Sequence, residues 1–270
     1  MAGKNDTALT TPEPSDGRFM VLTMEPSEVR DIIKGTLGDE ELSPRDLDRV
    51  SIPAGGATQW TVQTVDGEQS VGELRGIILA HRQMRAYWPG EYTGEKTPPQ
   101  CYSDDAVTGH GNNGTGDGAH SCNGCPQAQF GTAKLGQGKG QACKLMRVVF
   151  LLAQDQFLPI VLALPPTSQG IGKQYIVRLA SSGLRPYDVI TTVKLEKTKN
   201  DGGIAYSRAS FERVANLDPA DRAKMRSYAE ELGPALAKIR IDPSDIDGTD
   251  DPQAGMAAPR VEPTEAEVRI

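Results

Sequence analysis

The sequence predicts an α+β chain rich in strand: a small β-barrel interrupted by a cysteine-bearing loop, with short flanking helices and disordered ends. Three observations carry this. Alternating apolar and polar residues before residue 101, and apolar runs after residue 143, read as strands on both sides of residues 101–143. All four cysteines lie inside that stretch, at Cys101, Cys122, Cys125 and Cys143. Residues 1–17 and 242–270 are polar and proline-bearing, and bury too little apolar surface to offset the entropy of ordering. Residues 18–241 are then one domain, with residues 101–143 as an insertion.

The N-terminal part reads as an acidic entry segment. Phe19-Met-Val-Leu22 is a short apolar run, and Pro26 suits the first turn of a helix ending near Gly35 or Gly38. Ser43 and Pro44 start a second short helix that carries Asp46, Leu47 and Val50. From residue 51 the period changes to two. Trp60-Thr-Val-Gln-Thr-Val65 is a half-buried strand turned by Asp66-Gly67. Ile77–Ala80 is a second strand, and Arg82–Trp88 extends it or forms a third before Pro89-Gly90.

Strands resume directly after Cys143, over Leu145–Leu152 and Phe157–Leu164, the latter closed by Pro165-Pro166. The cysteine loop is therefore an excursion from a sheet. Ser168 caps a helix with Ile171, Tyr175, Ile176 and Leu179 on one face and Gly183 as its stop. Tyr187–Leu195 and Gly203–Arg208 form a hairpin about Asn200-Asp-Gly-Gly203. A last helix starts at Asp218-Pro219 and runs to about Leu232, where Pro234 interrupts it.

The cysteine spacing is C-x20-C-x2-C-x17-C. A loop so rich in Gly, Asn and Ser needs something other than apolar burial to order it. Cys122-Asn-Gly-Cys125 gives a tight turn that aims two sulfurs at one point, and Cys101 and Cys143 close the site from flanking segments. One structural Zn²⁺, which favours four thiolates in a tetrahedron, fits this set. An iron–sulfur cluster, hinted at by Cys125-Pro126, and two disulfides are the other readings. His110 and His120 lie in the same loop, as solvated histidines or as substitutes for one cysteine.

The N-terminus has no apolar signal core, and no apolar run approaches transmembrane length, so a cytoplasmic, reducing setting without membrane contact is expected. The net charge of −7 is unevenly spread. Residues 75–213 carry 16 basic and 10 acidic groups, whereas residues 242–270 carry 2 and 8. A basic centre with acidic ends suits a polyanion-binding domain with an acidic tail.

Enzyme signatures fail. The run from Gly131 to Gly138 has Gln137 where a phosphate loop needs lysine, and there is no G-x-S-x-G or H-E-x-x-H. Binding chemistry is better represented. Cations interleave with aromatics at Arg82, Arg85, Tyr87, Trp88, Lys139, Lys144, Arg147, Lys194, Lys197, Lys199, Tyr206 and Arg208. Cations neutralise phosphates and flat rings stack on bases, the two needs of a single-stranded nucleic-acid site. Single-stranded DNA is the expected partner. A metal-dependent enzyme on nucleic acid, and an adaptor or inhibitor acting on a host factor, are the rival readings.

Several motifs add a resemblance. Gly76-Ile-Ile-Leu, Arg85-Ala-Tyr-Trp88, Pro98-Pro-Gln-Cys101-Tyr-Ser-Asp-Asp, Cys122-Asn-Gly-Cys125-Pro-Gln-Ala-Gln-Phe-Gly131, Gly138-Lys-Gly-Gln-Ala-Cys143 and Leu164-Pro-Pro-Thr-Ser168 span about residues 70–170. With them the chain resembles a group of phage and prophage replication-module proteins. That group is similar to the zinc-containing single-stranded-DNA-binding proteins of T-even phages. The resemblance implies an OB-fold-like barrel with a zinc-ribbon insertion, a zinc ion on Cys101, Cys122, Cys125 and Cys143, and DNA replication or recombination in a bacterial host cell. It also implies an acidic tail that engages replication or recombination proteins. The T-even proteins use one histidine and three cysteines where four cysteines stand here, and their basic N-terminal motif has only Lys4 to match it in residues 1–17.

Overall fold

The computed structural model describes residues 26–38, 46–53, 55–89, 98–133, 140–154, 156–200 and 202–240. The expectations for residues 1–17, 19–22, 43–44 and 242–270, and for Lys139, lie outside the described residues; of the helix expected to carry Asp46, Leu47 and Val50, the described part is a bend leading into a short strand at Arg49–Val50 that pairs with Val161 and Leu162.

The chain is α+β and strand-rich, and it is organised by one long strand, β4 (Glu73–Tyr87). Along one edge β4 pairs antiparallel with β8 (Cys143–Ala153), from Gly76↔Ala153 to Tyr87↔Cys143. Its other edge is shared. The start pairs with β10 (Val189–Lys199) and the end with β5 (Cys101–Ser103). The two strands expected at 77–80 and 82–88 are thus one, with a register shift at Ile78/Ala80 that lets it bend. Gly76 allows the close pairing: a Cβ there would lie 2.4 Å from the Leu152 carbonyl oxygen.

β8 continues antiparallel into β9 (Ile160–Leu164), and β9 pairs in parallel with β1 (Arg49–Val50). The helix α2 (Pro166–Ser181) then carries the chain across to β10, which forms a hairpin with β11 (Ala205–Asn216). Among the described residues no pairing joins β11 back to β9, so the sheet is mixed and does not close into a complete barrel. The edge that would close it is occupied by β1, at Arg49↔Val161 and Val50↔Leu162.

β8 and β9 are buried on both faces, which is why they read as unbroken apolar runs rather than alternating ones. One face carries Val149, Leu151, Leu162 and Leu164 against Trp60, Tyr175, Leu179, Val193 and Ala209. The other carries Met146, Val148, Phe150, Val161 and Ala163 against Leu236 and Ile239. Trp60 opens β2 (Trp60–Thr64), which pairs only with β3 (Gly67–Val71), and its buried indole N–H donates to the Val193 carbonyl at 3.1 Å.

Two helix ends differ from expectation. α2 starts at Pro166, not at a Ser168 cap, because Pro165 is extended and Pro166 has no N–H to satisfy. Ser168 is instead buried, and its hydroxyl accepts from Ala209 N–H at 3.0 Å. α3 (Pro219–Leu236) runs through Pro234. Burial of Leu236 and Ile239 against the sheet holds this last turn, where a missing N–H removes only one helical bond. Its N-cap, Asp218, accepts from Asp221 N–H at 2.9 Å. The remaining helix, α1 (Pro26–Leu37), stands near the N-terminus. No described helix is long and apolar enough to cross a membrane.

Candidate metal centre and cationic surfaces

The excursion between β4 and β8 is built from small elements. β5 is followed by β6 (Thr108–Gly111), which pairs with β5 and with β7 (His120–Ser121). Apolar packing is sparse here, and local hydrogen bonds replace it. Asp105 Oδ1 accepts from Val107 N–H and Thr108 N–H at 2.7 and 2.8 Å. Asn113 Oδ1 accepts from Thr115 N–H and Gly116 N–H at 2.9 and 3.0 Å.

All four cysteines are buried, unpaired by disulfides, and line one cavity of about 10 Å³. Strand register delivers two of them. Cys101 and Cys143 both lie opposite Tyr87, one on each side of β4, so all three share a face. A tight turn delivers the other two. Cys125 N–H donates to the Cys122 carbonyl at 3.3 Å, and Gly124 between them has φ +78°, which favours glycine. Tyr87, Cys101, Cys125, Ala128 and Cys143 form a small core of their own.

The Asn113 Nδ2 donates to the Cys125 sulfur at 3.8 Å, and the Arg85 guanidinium donates from Nη1 to the Cys143 carbonyl at 3.4 Å. The Asn113 amide is oriented by the turn bonds to its Oδ1. His120 also lines the cavity, with Nε2 3.4 Å from Cys101 Sγ and Nδ1 3.1 Å from the Gly118 carbonyl. That carbonyl can only accept, so Nδ1 carries a proton. His110 is exposed and packs on Tyr102 with ring centroids 5.7 Å apart. Burial, with the other cysteines adding to it, pushes the Cys101 thiol up to about 11; burial pushes the Cys143 thiol up to about 12 despite Arg85. Among the described residues, no three His, Cys, Asp or Glu side chains stand in metal-ligating geometry. The four sulfurs share a cavity without being drawn to ligand distances.

The residues expected to contact nucleic acid are dispersed. Tyr87 is 4% exposed in the cavity wall, and a ring without a free face cannot stack on a base. Arg147 is 5% exposed and donates from Nη1 to His81 Nδ1 at 3.0 Å. That bond requires a neutral imidazole, and burial together with Arg147 holds His81 down at about 4. Arg82 donates to the Ala237 carbonyl just past the end of α3, with Asp104 beside it. Asp104 also meets Arg240 at 3.7 Å, tying the excursion to the end of α3. Trp88 is half-buried against the core under α3, and Lys144 is half-buried on β8.

The hairpin residues remain at the surface, but the pleat divides them. Thr198↔Tyr206, Glu196↔Arg208 and Lys194↔Ser210 lie on one face, and Lys197↔Ser207 and Lys199↔Ala205 on the other. On the first face the charges are compensated: Lys194 lies 3.5 Å from Glu73, and Arg208 lies 3.3 Å from Glu196. Lys197 and Lys199 are exposed on the second, where the Lys197 stem passes over Gly56. Counting cations along the sequence overlooks this division, which follows from a period of two.

Sequence reasoning missed Asn113 and gave His120 no firm place. Asn112-Asn113-Gly114 marks a turn, but nothing in it points to the sulfur of Cys125, twelve residues beyond Asn113. No family model, no curated protein and no solved structure matches the chain.

Proposed function

We propose that the chain binds single-stranded DNA through a partly open OB-like barrel whose excursion is pinned by one structural Zn²⁺. The observation that carries the reading is the chain order. Three antiparallel strands, β4–β8–β9, are followed by α2 and then by the hairpin β10–β11, with β10 returning to the free edge of β4. An OB-fold has this order, and it takes oligonucleotides with its strand 2–3 face and the loops after strands 1 and 4. Here those loops are the cysteine excursion and the β10–β11 turn. The outer face of β8 and β9 is covered by Leu236 and Ile239. The DNA path therefore runs across the two loops, near Lys144, Lys197, Lys199 and Tyr206. The acidic tail, residues 242–270, is the contact for replication or recombination proteins in a bacterial cytoplasm.

The donor set suits zinc. Cys101, Cys122, Cys125 and Cys143 are soft ligands around one atom-sized cavity, and each sulfur is placed by a side-chain torsion with three staggered wells. The Asn113 amide already donates to the Cys125 sulfur, and such a donor favours thiolate over thiol. When bound, the ion supplies rigidity, not chemistry, because four protein ligands leave no open position.

Anisotropy titration with a labelled oligonucleotide at two salt concentrations tests the DNA reading. Binding should favour single strands over duplex and weaken with salt, by a log–log slope of about −0.7 per phosphate contact. Absence of binding at low salt, or equal affinity for duplex, rejects it. Elemental analysis of the purified chain should return one zinc, whereas iron with labile sulfide rejects the zinc assignment.

A further inference from the structure

We infer that Arg85 is the counter-charge of the four-cysteine centre, a positioning residue for the metal rather than a contact for DNA. The inference rests on the zinc reading above. A divalent ion with four thiolates carries a net charge of about −2. Burying that charge is unfavourable unless a cation or hydrogen-bond donors compensate it.

Among the residues that line the cavity, Arg85 is the one with a permanent positive charge. Its guanidinium engages Cys143, donating from Nη1 to the carbonyl at 3.4 Å. Register places it there. Arg85 lies opposite Ser103 on β5 and Leu145 on β8, one step along β4 from Tyr87, which faces both Cys101 and Cys143. Residues two apart on a strand share a face, so Arg85 points to the same side as both sulfurs.

Its partners elsewhere are also informative. Lys194, Arg208, Arg226 and Arg240 each meet a carboxylate. Among the described residues none meets Arg85. A half-buried guanidinium that meets no carboxylate among the described residues, set against a cavity whose described lining carries no other fixed cation, is complementary to a metal–thiolate centre. Asn113 performs the neutral version of the same task at Cys125.

The test uses the full chain. Zinc affinity is measured by competition with a chromogenic chelator for wild type, Arg85→Gln and Arg85→Lys, and cobalt(II) substitution reports the ligand set. Loss of an outer-shell partner of this kind typically weakens metal binding by about 10–100-fold. Arg85→Gln should show such a loss, Arg85→Lys should recover part of it, and the thiolate-to-cobalt absorption should persist in all three. At saturating zinc, Arg85→Gln should bind the oligonucleotide as wild type does.

Unchanged zinc affinity in Arg85→Gln overturns the inference, as does normal zinc affinity with weakened oligonucleotide binding. Should Arg85→Gln not fold, Arg85→Lys decides: zinc affinity within about tenfold of wild type supports the role, and affinity no better than that of Cys143→Ser overturns it. A wild-type chain that takes up no zinc fails the metal reading itself, a separate result.

Discussion

Two neighbouring regions of this protein are held together by different physics. In β8 and β9 the buried residues are Met146, Val148, Phe150, Val161, Leu162 and their neighbours, packed on both faces of the sheet. In the excursion at 98–133 they are Cys101, Ser103, Asn113, Cys122, Cys125 and Ala128, which are small, polar or sulfur-bearing. A fully buried Leu or Phe contributes about 1.5–3 kcal/mol. The excursion has no such residue, so its order depends on turn hydrogen bonds and on whatever joins its sulfurs. One region should survive the loss of a ligand and the other should not.

The largest expected effect is metal removal. A structural zinc site contributes about 10–16 kcal/mol of apparent binding free energy in small metal-folded domains. Chelation should abolish amide protection across Cys101–Gly131 while leaving β8 and β9 protected, as read by hydrogen exchange. Equal protection in the excursion with and without chelator would show that it orders itself, and the contrast drawn here would be lost.

Phe150→Ala should act in the opposite sense. It should lower global stability by about 3–5 kcal/mol in denaturant melts while leaving zinc content unchanged. A loss of zinc at native denaturant concentrations would mean that the two regions unfold together.

Acid gives a third, smaller effect, confined to the sheet. His81 is held neutral in the folded chain, at about 4 against the ordinary 6.5. Its contribution is fully present above about pH 6.5. Between about 6.5 and 4 the unfolded chain takes up a proton that the folded chain refuses, so stability falls as pH falls through that window, by at most about 3 kcal/mol. Unfolding midpoints of His81→Gln should be flatter than wild type over this range. Parallel profiles would remove His81 from the account.

The smallest effect sharpens the covering of the sheet's outer face. Asp218→Ala removes the N-cap of α3 and should lower the unfolding midpoint by less than any of the changes above. Neither zinc content nor protection in the excursion should change.

Much of this was legible in the residues. The strand at 145–152, most of that expected at 157–164 (β9 begins at Ile160), the β10–β11 turn at Asn200–Gly203 and the Asp218-Pro219 start of α3 follow from period, turn chemistry and capping. So does the gathering of Cys122 and Cys125, because two residues with one glycine can only turn tightly. What stayed hidden concerns residues far apart in the chain. Ser168 reads as a cap but meets Ala209, and Arg85 reads as a surface cation but meets Cys143.

The sequence by itself therefore determined the type of the longer elements and the place of the excursion, because periodicity, glycine and proline act over a few residues, but not that of β1, where a helix was expected. Tertiary structure alone decided three things. It merged two expected strands into β4, left the sheet open by lending β9's edge to β1, and divided the hairpin's cations between two faces. Each of these depends on register, and register is set by which distant strand offers its hydrogen bonds and buries the opposing side chains.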